Sequence, residues 1–212
     1  MLSQGLYDAI LAGDAKNAEA AVHEALAAGV NPAMLIADTM IPAMDAVGKL
    51  FEEEEYFVPE LLLAGRAMKA AMEPLRPLLA AAGAKPAGVI LVGTVKGDLH
   101  DIGKNLVVSM LEGGGFEVHD LGADVAPEKF IAAIREHKPQ IVCLSALLTV
   151  TMPAMKTTIA AIEQAGLRGE VKVLIGGAPI NEQYAHEIGA DGYGASANDA
   201  VSLARTFIGK AA

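Results

Sequence analysis

The sequence predicts a small bundle of helices followed by a doubly wound α/β domain with a parallel sheet. Three observations support this fold class. Apolar residues recur at helical spacing in the first part of the chain, and short apolar runs alternate with helical segments in the second part. Residues 80–87 between them are mostly small and include a glycine and a proline. The length of 212 residues suits two small domains, and we assign residues 1–85 to the helical one and residues 88–212 to the other.

Four helices are expected in the first part. Gly13 and Gly29 are natural C-terminal stops, and Asn31 followed by Pro32 is a favourable helix start. The expected helices span residues 2–12, 15–28, 32–50 and 58–79. Helices joined by short links pack as a four-helix bundle.

Five strand-and-helix units are expected in the second part. The strand signals are short continuous apolar runs, which are typical of a parallel sheet covered on both faces. The expected strands span residues 88–93, 116–121, 140–145, 171–175 and 190–193, and the expected helices span residues 102–111, 127–137, 152–165, 181–188 and 197–208. This alternation predicts a flavodoxin-like or Rossmann-like sheet of five parallel strands.

Composition and charge narrow the function classes. The formal net charge of −10 argues against nonspecific nucleic-acid binding, which depends on Lys and Arg neutralising phosphates. The single cysteine, Cys143, excludes an internal disulfide and a CxxC metal site, and its apolar neighbours predict a buried strand residue. The N-terminus lacks a basic region followed by an apolar stretch, and no apolar run is long enough to span a membrane. We therefore expect a cytoplasmic protein with neither nucleic acid nor membrane as a partner.

The most unusual segment follows the first strand. Ligands of doubly wound sheets bind beyond the carboxyl ends of the strands, and residues 93–105 (GTVKGDLHDIGKN) occupy such an end. The spacing of Gly97 and Gly103 does not fit a phosphate loop, and a GxGxxG dinucleotide loop is absent. What remains is Asp98, His100 and Gly103 in the pattern DxHxxG.

This pattern resembles the cobalamin-binding motif of corrinoid proteins in methyltransferase systems and of the cobalamin-binding region of methionine synthase. Three further segments resemble that family in the expected order: residues 145–149 (SALLT) after the third strand, Gly176-Gly177 after the fourth, and residues 193–195 (YGA) before the last helix. Residues 47–51 (VGKLF) and 57–61 (FVPEL) are similar to the helical cap domain of the same family. The resemblance therefore covers most of the chain.

The resemblance implies a corrinoid cofactor, cobalamin or a relative of it, with His100 as the cobalt ligand in place of the cofactor's own base. Imidazole suits cobalt, and a ligating histidine needs an acceptor for its other ring nitrogen. Asp98 is the implied acceptor, and Thr151 stands where methionine synthase has a serine hydroxyl in the same relay. Release of the histidine is expected to accompany proton uptake by this set.

The residues expected at the cofactor follow from these segments, although several have simpler roles open to them. Asp98 and Asp101 also fit helix capping, Ser145 and Thr149 also fit ordinary polar strand ends, and the paired glycines also fit a generic turn. The expected metal ligand is His100, and the expected cofactor-binding residues are Asp98, His100, Asp101, Gly103, Ser145, Leu147, Thr149, Thr151, Gly176, Gly177, Tyr193 and Gly194.

The cap-like part offers three candidates for covering the other face of the corrin. Phe57, Leu61 and Met68 lie at helical spacing. Core packing of the bundle is the simpler interpretation of all three, and shielding of the cofactor by one of them is the alternative.

The resemblance implies a methyl carrier that serves two partners, a substrate-specific methyltransferase and an acceptor methyltransferase that uses tetrahydrofolate or a thiol. The chain is too short to add a catalytic barrel of about 250 residues, so we expect a carrier and not a complete enzyme. Two alternatives are a cobalamin-dependent sensor or regulator, disfavoured by the acidic charge, and the small subunit of a cobamide-dependent mutase, which leaves the cap-like helices unexplained. A metal phosphohydrolase centred on His100 and Asp101 lacks further clustered histidines in the sequence.

Overall fold

The computed structural model describes residues 3–82 and 86–209 and divides into two compact units. One comprises Met1–Pro86 with Ser109–Gly115, and the other comprises Ala87–Val108 with Phe116–Ala212. Residues 109–115, which we assigned to the second domain from sequence, thus group with the helices. Residues 83–85 of the expected linker and Leu2 of the first expected helix lie outside the described residues, and the proposed domain limits stay a prediction.

The helical unit begins with well-capped helices. The Ser3, Asp14 and Asn31 side chains each accept a backbone N–H in the first turn of the helix that follows, which satisfies donors that a helix start leaves free. The helices of this unit are α1 (Gln4–Leu11), α2 (Ala15–Ala27), α3 (Pro32–Leu35), α4 (Ile41–Glu52), α5 (Val58–Met72) and α6 (Arg76–Ala81), and the π-helical segment Ile36–Met40 joins α3 to α4.

Two expected helices differ from the sequence prediction, and prolines account for both. The third contains the π-helical turn directly before Pro42, which has no N–H to donate to the preceding turn. The fourth is divided into α5 and α6 around Pro74, which has no N–H to continue the helical hydrogen bonds. The four-helix description therefore holds for the long segments, and the extension of the fourth helix to residue 79 was wrong.

The α/β unit carries the predicted five-stranded sheet. Its strands pair in parallel in the order β2-β1-β3-β4-β5, the flavodoxin-like order. Its elements are β1 (Val89–Thr94), α7 (Ile102–Gly113), β2 (Glu117–Asp120), α8 (Pro127–His137), β3 (Ile141–Ser145), α9 (Met152–Gln164), β4 (Lys172–Gly176), α10 (Glu182–Ile188), β5 (Gly192–Gly194) and α11 (Ala197–Gly209). The last strand begins two residues later than expected.

The central strands are buried, as helices on both faces of a parallel sheet require. Gly93 in β1 makes room for a core aromatic ring, because a Cβ there would lie 2.7 Å from the Phe130 side chain. Cys143 is buried in β3 as expected, and burial raises the pKa of its thiol to about 12. Among the described residues, no helix combines the length and apolar character needed to cross a bilayer.

The strand register brings the carboxyl ends of neighbouring strands to one level. Thr94 of β1 pairs with Ser145 of β3, Ser145 pairs with Gly176 of β4, and Gly176 pairs with Gly194 of β5. Three of these four positions are sequence-predicted site residues. The fold therefore places them in a single row along the edge where doubly wound sheets bind ligands.

Candidate functional site

The loop between β1 and α7 presents His100 at the edge of the sheet. Gly97 allows the turn with a φ of +87°, a conformation that side chains other than glycine rarely adopt. The buried Thr94 hydroxyl donates to the His100 carbonyl at 3.0 Å, and the His100 amide donates to Asp98 Oδ1 at 3.0 Å. Both backbone polar groups of His100 are thus held, whereas its side chain is 49% exposed.

Asp98 is fully buried beneath this histidine and is densely hydrogen-bonded. Its Oδ1 lies 2.7 Å from His100 Nδ1, and its Oδ2 accepts from the Thr151 hydroxyl at 2.6 Å and from the Leu147 amide at 2.8 Å. Burial opposes ionisation of this carboxyl, but the hydrogen bonds from Thr151, Leu147 and His100 outweigh burial and hold its pKa well below the usual range.

An ionised Asp98 fixes the tautomer of the neutral His100 ring. A carboxylate only accepts hydrogen bonds, so Nδ1 carries the proton and donates it. The lone pair of Nε2 is then free to bind a metal ion, and the buried carboxylate holds the orientation of the ring. The structure thus contains the acceptor that the resemblance implied for His100.

Thr151 completes the set from the loop after β3. Its single hydroxyl proton lies within reach of two acceptors, Asp98 Oδ2 at 2.6 Å and the Leu148 carbonyl at 2.8 Å. The charged oxygen is the stronger acceptor. Thr151 therefore keeps the hydroxyl contact to Asp98 that the resemblance implied, although threonine replaces serine.

The remaining predicted residues lie around this set in different environments. Thr149 is exposed in the turn before α9, and Tyr193 is half-buried on β5. Asp101 directly precedes α7, and its carbonyl accepts from the Asn105 amide at 2.7 Å, as at a helix start. Whether these three contact a cofactor stays a prediction.

The predicted glycines differ in what surrounds them. A Cβ on Gly103, in the first turn of α7, would meet nothing within 4 Å. A Cβ on Gly177 would overlap the Ala146 carbonyl, and Gly177 also has a φ of +133°. A Cβ on Gly176 would lie 3.1 Å from the Gly194 carbonyl. Gly103 thus leaves open space at the edge of the site, which suits a ligand. Gly177 is required by the backbone itself, whereas Gly176 lies only in tight contact with its neighbouring strand.

Exposed apolar side chains flank His100 in the loop after β1, at the first residue of α7 and in the loop after β3. The exposed fractions are 76% for Leu99, 70% for Ile102 and 80% for Val150, and Leu147 and Leu148 are exposed as well. Clustered apolar residues at a loop surface commonly mark a binding site, because covering them with a ligand removes apolar area from water. A corrinoid, with its broad and largely apolar ring, fits such a surface around a single metal-binding nitrogen.

A metal ion held by one protein nitrogen must bring most of its other ligands with it, as the cobalt of a corrinoid does. Residues 3–82 and 86–209 contain no group of three or more His, Cys, Asp or Glu side chains placed to hold a metal ion. The observation that fits the implied cofactor is the His100 imidazole, which Asp98 holds beside exposed apolar side chains.

Sequence reasoning predicted Leu147 at the site but missed Thr94, Leu99, Ile102, Leu148 and Val150. The sequence could have indicated Thr94, because this hydroxyl residue ends β1 in the same way that Ser145 ends β3. It could also have indicated Leu99 and Val150, because they are large apolar residues inside predicted loops. In the helical unit, Leu61 and Met68 are each 1% exposed, so core packing accounts for both, whereas Phe57 is 62% exposed and is available to a ligand or partner.

Comparisons with known proteins agree with this geometry. Two family models described as "B12 binding domain" match residues 88–202 and 2–76. Trimethylamine corrinoid protein 2 of Methanosarcina acetivorans is 43% identical over 203 residues, which are 95% of this chain and 94% of that relative. The dimethylamine corrinoid protein of Methanosarcina barkeri is 40% identical over 209 residues, 98% of this chain and 97% of that relative.

Solved structures match over the same length. A cobalamin-binding protein from Desulfitobacterium hafniense DCB-2 has a TM-score of 0.79 and 35% identity, covering 95% of this chain and 96% of that one. The methanol:cobalamin methyltransferase complex MtaBC from Methanosarcina barkeri has a TM-score of 0.88 and 31% identity, covering 98% of this chain and 80% of that one. The likeness thus extends over both the helical and the α/β parts, and the chain belongs to the B12 binding domain family as a corrinoid-binding protein of methyltransferase systems.

Proposed function

We propose that this chain carries methyl groups between a substrate-specific methyltransferase and an acceptor methyltransferase, with His100 as the protein ligand of the cobalt. A bound corrinoid supplies a cobalt ion that accepts a methyl group and gives it up again. The observation that carries the proposal is the hydrogen-bonded set of His100, Asp98 and Thr151, which leaves one imidazole nitrogen free at an apolar edge of the sheet.

The side chains of the set have separate tasks in this proposal. His100 Nε2 binds the metal, Asp98 holds the proton on Nδ1 and orients the ring, and Thr151 holds the carboxylate. Ser145, Gly176 and Gly194 lie in the row that continues from Thr94 and are proposed to line the space for the cofactor's tail. Leu147, Thr149, Gly177 and Tyr193 are proposed to border the same space.

We infer that the methyl source is a methylated amine. The relatives that match over nearly the whole chain include trimethylamine and dimethylamine corrinoid proteins at 39–44% identity, whereas the methanol complex matches at 31%. Tetrahydrofolate and a thiol are the two proposed classes of final acceptor.

Replacement of His100 tests the metal ligand directly. Protein uniformly labelled with ¹⁵N is loaded with unlabelled cobalamin, and the cobalt is reduced to the paramagnetic Co(II) form. A ¹⁵N ligand from the protein splits the axial EPR lines into doublets, whereas the cofactor's own ¹⁴N base splits them into triplets. We expect doublets for the wild type, and their loss in His100→Ala with a fall in methyl transfer of about 10- to 100-fold or more.

The matched control is His23→Ala, which removes another exposed imidazole from α2 in the helical unit. It should keep the doublets and the transfer rate. Triplets in the wild type, or doublets that persist in His100→Ala, would show that His100 is not the ligand.

The proposed direction of transfer has its own test. The loaded protein is incubated with trimethylamine, dimethylamine or methanol and the corresponding methyltransferases, and then with tetrahydrofolate or a thiol and an acceptor enzyme. Transfer from a methylated amine supports the proposed source, and transfer from methanol alone contradicts it. Release of a bound adenosyl group by light, without methyl transfer, would favour the sensor or mutase alternative.

A further inference from the structure

We propose that Asp124 is a positioning residue that holds the His100 loop in the geometry needed for metal binding. Asp124 lies in the loop between β2 and α8, outside every segment that resembles a cobalamin motif. The inference rests on the proposed role of His100 as the cobalt ligand. It adds a residue that supports His100 through contacts with the backbone of its loop.

Asp124 contacts two consecutive residues of the His100 loop. Its Oδ1 accepts from the Gly97 amide at 2.8 Å, and its own amide donates to the Asp98 carbonyl at 2.9 Å. The two bonds fix the peptide groups on either side of the turn that leads into Asp98. Because the Asp98 carboxylate orients the imidazole, a shift of this backbone is transmitted to His100 Nε2.

The conformation of Asp124 is suited to this task. Its φ of +54° is uncommon for residues other than glycine, and Asp and Asn tolerate it best. The next residue, Val125, donates its amide to the Thr94 carbonyl at 2.9 Å, and the Thr94 amide donates to the Gly122 carbonyl at 3.0 Å. The loop after β2 is therefore joined to the end of β1 on both sides of Asp124.

Lys96 is a secondary partner. Its Nζ lies 3.0 Å from the Asp124 carboxylate, with side-chain exposures of 58% and 40%. The hydrogen bond from the Gly97 amide is the larger cause of a lowered pKa of Asp124, and Lys96 adds to it. The carboxylate is therefore ionised near neutral pH. Exposed ion pairs contribute little to stability, so we assign the positioning to the hydrogen bonds and not to the charge.

Three variants separate these contributions. Asp124→Gly removes the side chain without adding strain at positive φ, Asp124→Asn keeps an oxygen for the Gly97 amide and removes the charge, and Lys96→Met removes the ion pair alone. The apo readout is hydrogen exchange of the Gly97 amide by NMR. The second readout is a titration of the ¹⁵N-labelled, cobalamin-loaded Co(II) protein with unlabelled imidazole. Imidazole that takes the place of the protein ligand changes the EPR doublets into triplets, and the concentration at half-displacement is measured.

We expect Asp124→Gly to speed Gly97 exchange and to lower the half-displacement concentration of imidazole by about three- to tenfold, the effect of one lost hydrogen bond. Asp124→Asn and Lys96→Met should stay close to the wild type in both measurements. If imidazole replaces the protein ligand of Asp124→Gly at the same concentration as in the wild type, the positioning role is overturned. This holds whether or not the thermal stability of the variant falls. Absence of doublets in the wild type would instead overturn the role of His100, so the two failures are distinguishable.

Discussion

Gly103 and Gly177 come from the same family resemblance, yet only Gly177 is required by the backbone that surrounds it. Gly103 is the second residue of α7, and apart from its chain neighbours and the backbone of its own helix, no described atom lies within 4 Å of where its Cβ would be. Gly177 follows β4 with a φ of +133° and lies against the Ala146 carbonyl. A small residue in a binding motif can therefore serve the ligand or the chain that surrounds it, and only the surroundings distinguish these cases.

The different surroundings of Gly103 and Gly177 allow effects on cofactor binding to be distinguished from effects on folding. The turn after β4 is fixed by close backbone approach, since the Ala146 amide also donates to the Gly176 carbonyl at 3.2 Å. The start of α7 has no such constraint at Gly103. Substitutions at the turn should thus act on the apoprotein, and substitutions at the helix start should act only when the cofactor is present.

The largest effect is expected for Gly177→Ala. The added Cβ overlaps the Ala146 carbonyl oxygen, so the loop must move, and the backbone conformation is unfavourable for alanine as well. We expect a loss of about 3 kcal/mol or more in the free energy of unfolding of the apoprotein, measured by urea denaturation.

Gly166→Ala is the matched control, because Gly166 has a φ of +76° but nothing within 4 Å of its Cβ position. It should cost only about 1 kcal/mol, the strain of a left-handed alanine. Equal losses in the two variants would show that steric contact with Ala146 does not determine the turn.

A smaller effect is expected for Thr151→Val, in the loop that lies between the two glycine regions. The variant removes the hydroxyl bonded to the buried Asp98 carboxylate and keeps the side-chain shape. We expect a loss of about 1–3 kcal/mol at pH 7. The adjacent hydroxyl residue gives the control, since Thr149→Val alters an exposed side chain and should change stability by less than about 0.5 kcal/mol.

The Thr151→Val effect should also depend on pH. The folded-state pKa of Asp98 lies below its unfolded value, so the stability that its ionisation contributes is present above about pH 4 and is lost as the pH falls through the folded pKa. Loss of the Thr151 bond raises that folded pKa. The stability difference between wild type and variant should therefore stay constant from pH 7 down to the unfolded pKa, and it should shrink only as the pH falls further toward the folded pKa of the variant. A difference that already changes between pH 7 and pH 5 in urea denaturation would contradict this coupling.

Much of this site was predictable because its residues are local in sequence or mark strand ends. Asp98, His100 and Gly103 fall within one short segment, and Ser145 and Gly176 each end an apolar run. Asp124 was not predictable, because its contact with Gly97 spans 27 positions and depends on β2 lying beside β1.

The fold shows the same division. Alternating apolar runs were enough to predict a flavodoxin-like sheet, whereas the division between α5 and α6 was missed although Pro74 marked it. The π-helical turn before Pro42 depends on how one helix relieves a missing hydrogen bond, and apolar spacing carries no information about that choice.

The smallest change in stability is expected for Gly103→Ala, and here the sign reverses. Alanine is the better helix former, so the apoprotein should be unchanged or more stable by up to about 1 kcal/mol. Gly5→Ala is closely matched, since Gly5 is also the second residue of its helix and also has nothing within 4 Å of its Cβ position. Both variants should behave alike without cofactor.

Only Gly103→Ala should weaken cobalamin binding, by about tenfold or more in an equilibrium titration, because its methyl group enters space that we assign to the ligand. Equal affinity in the two variants would mean that the space beside Gly103 is not used by the cofactor.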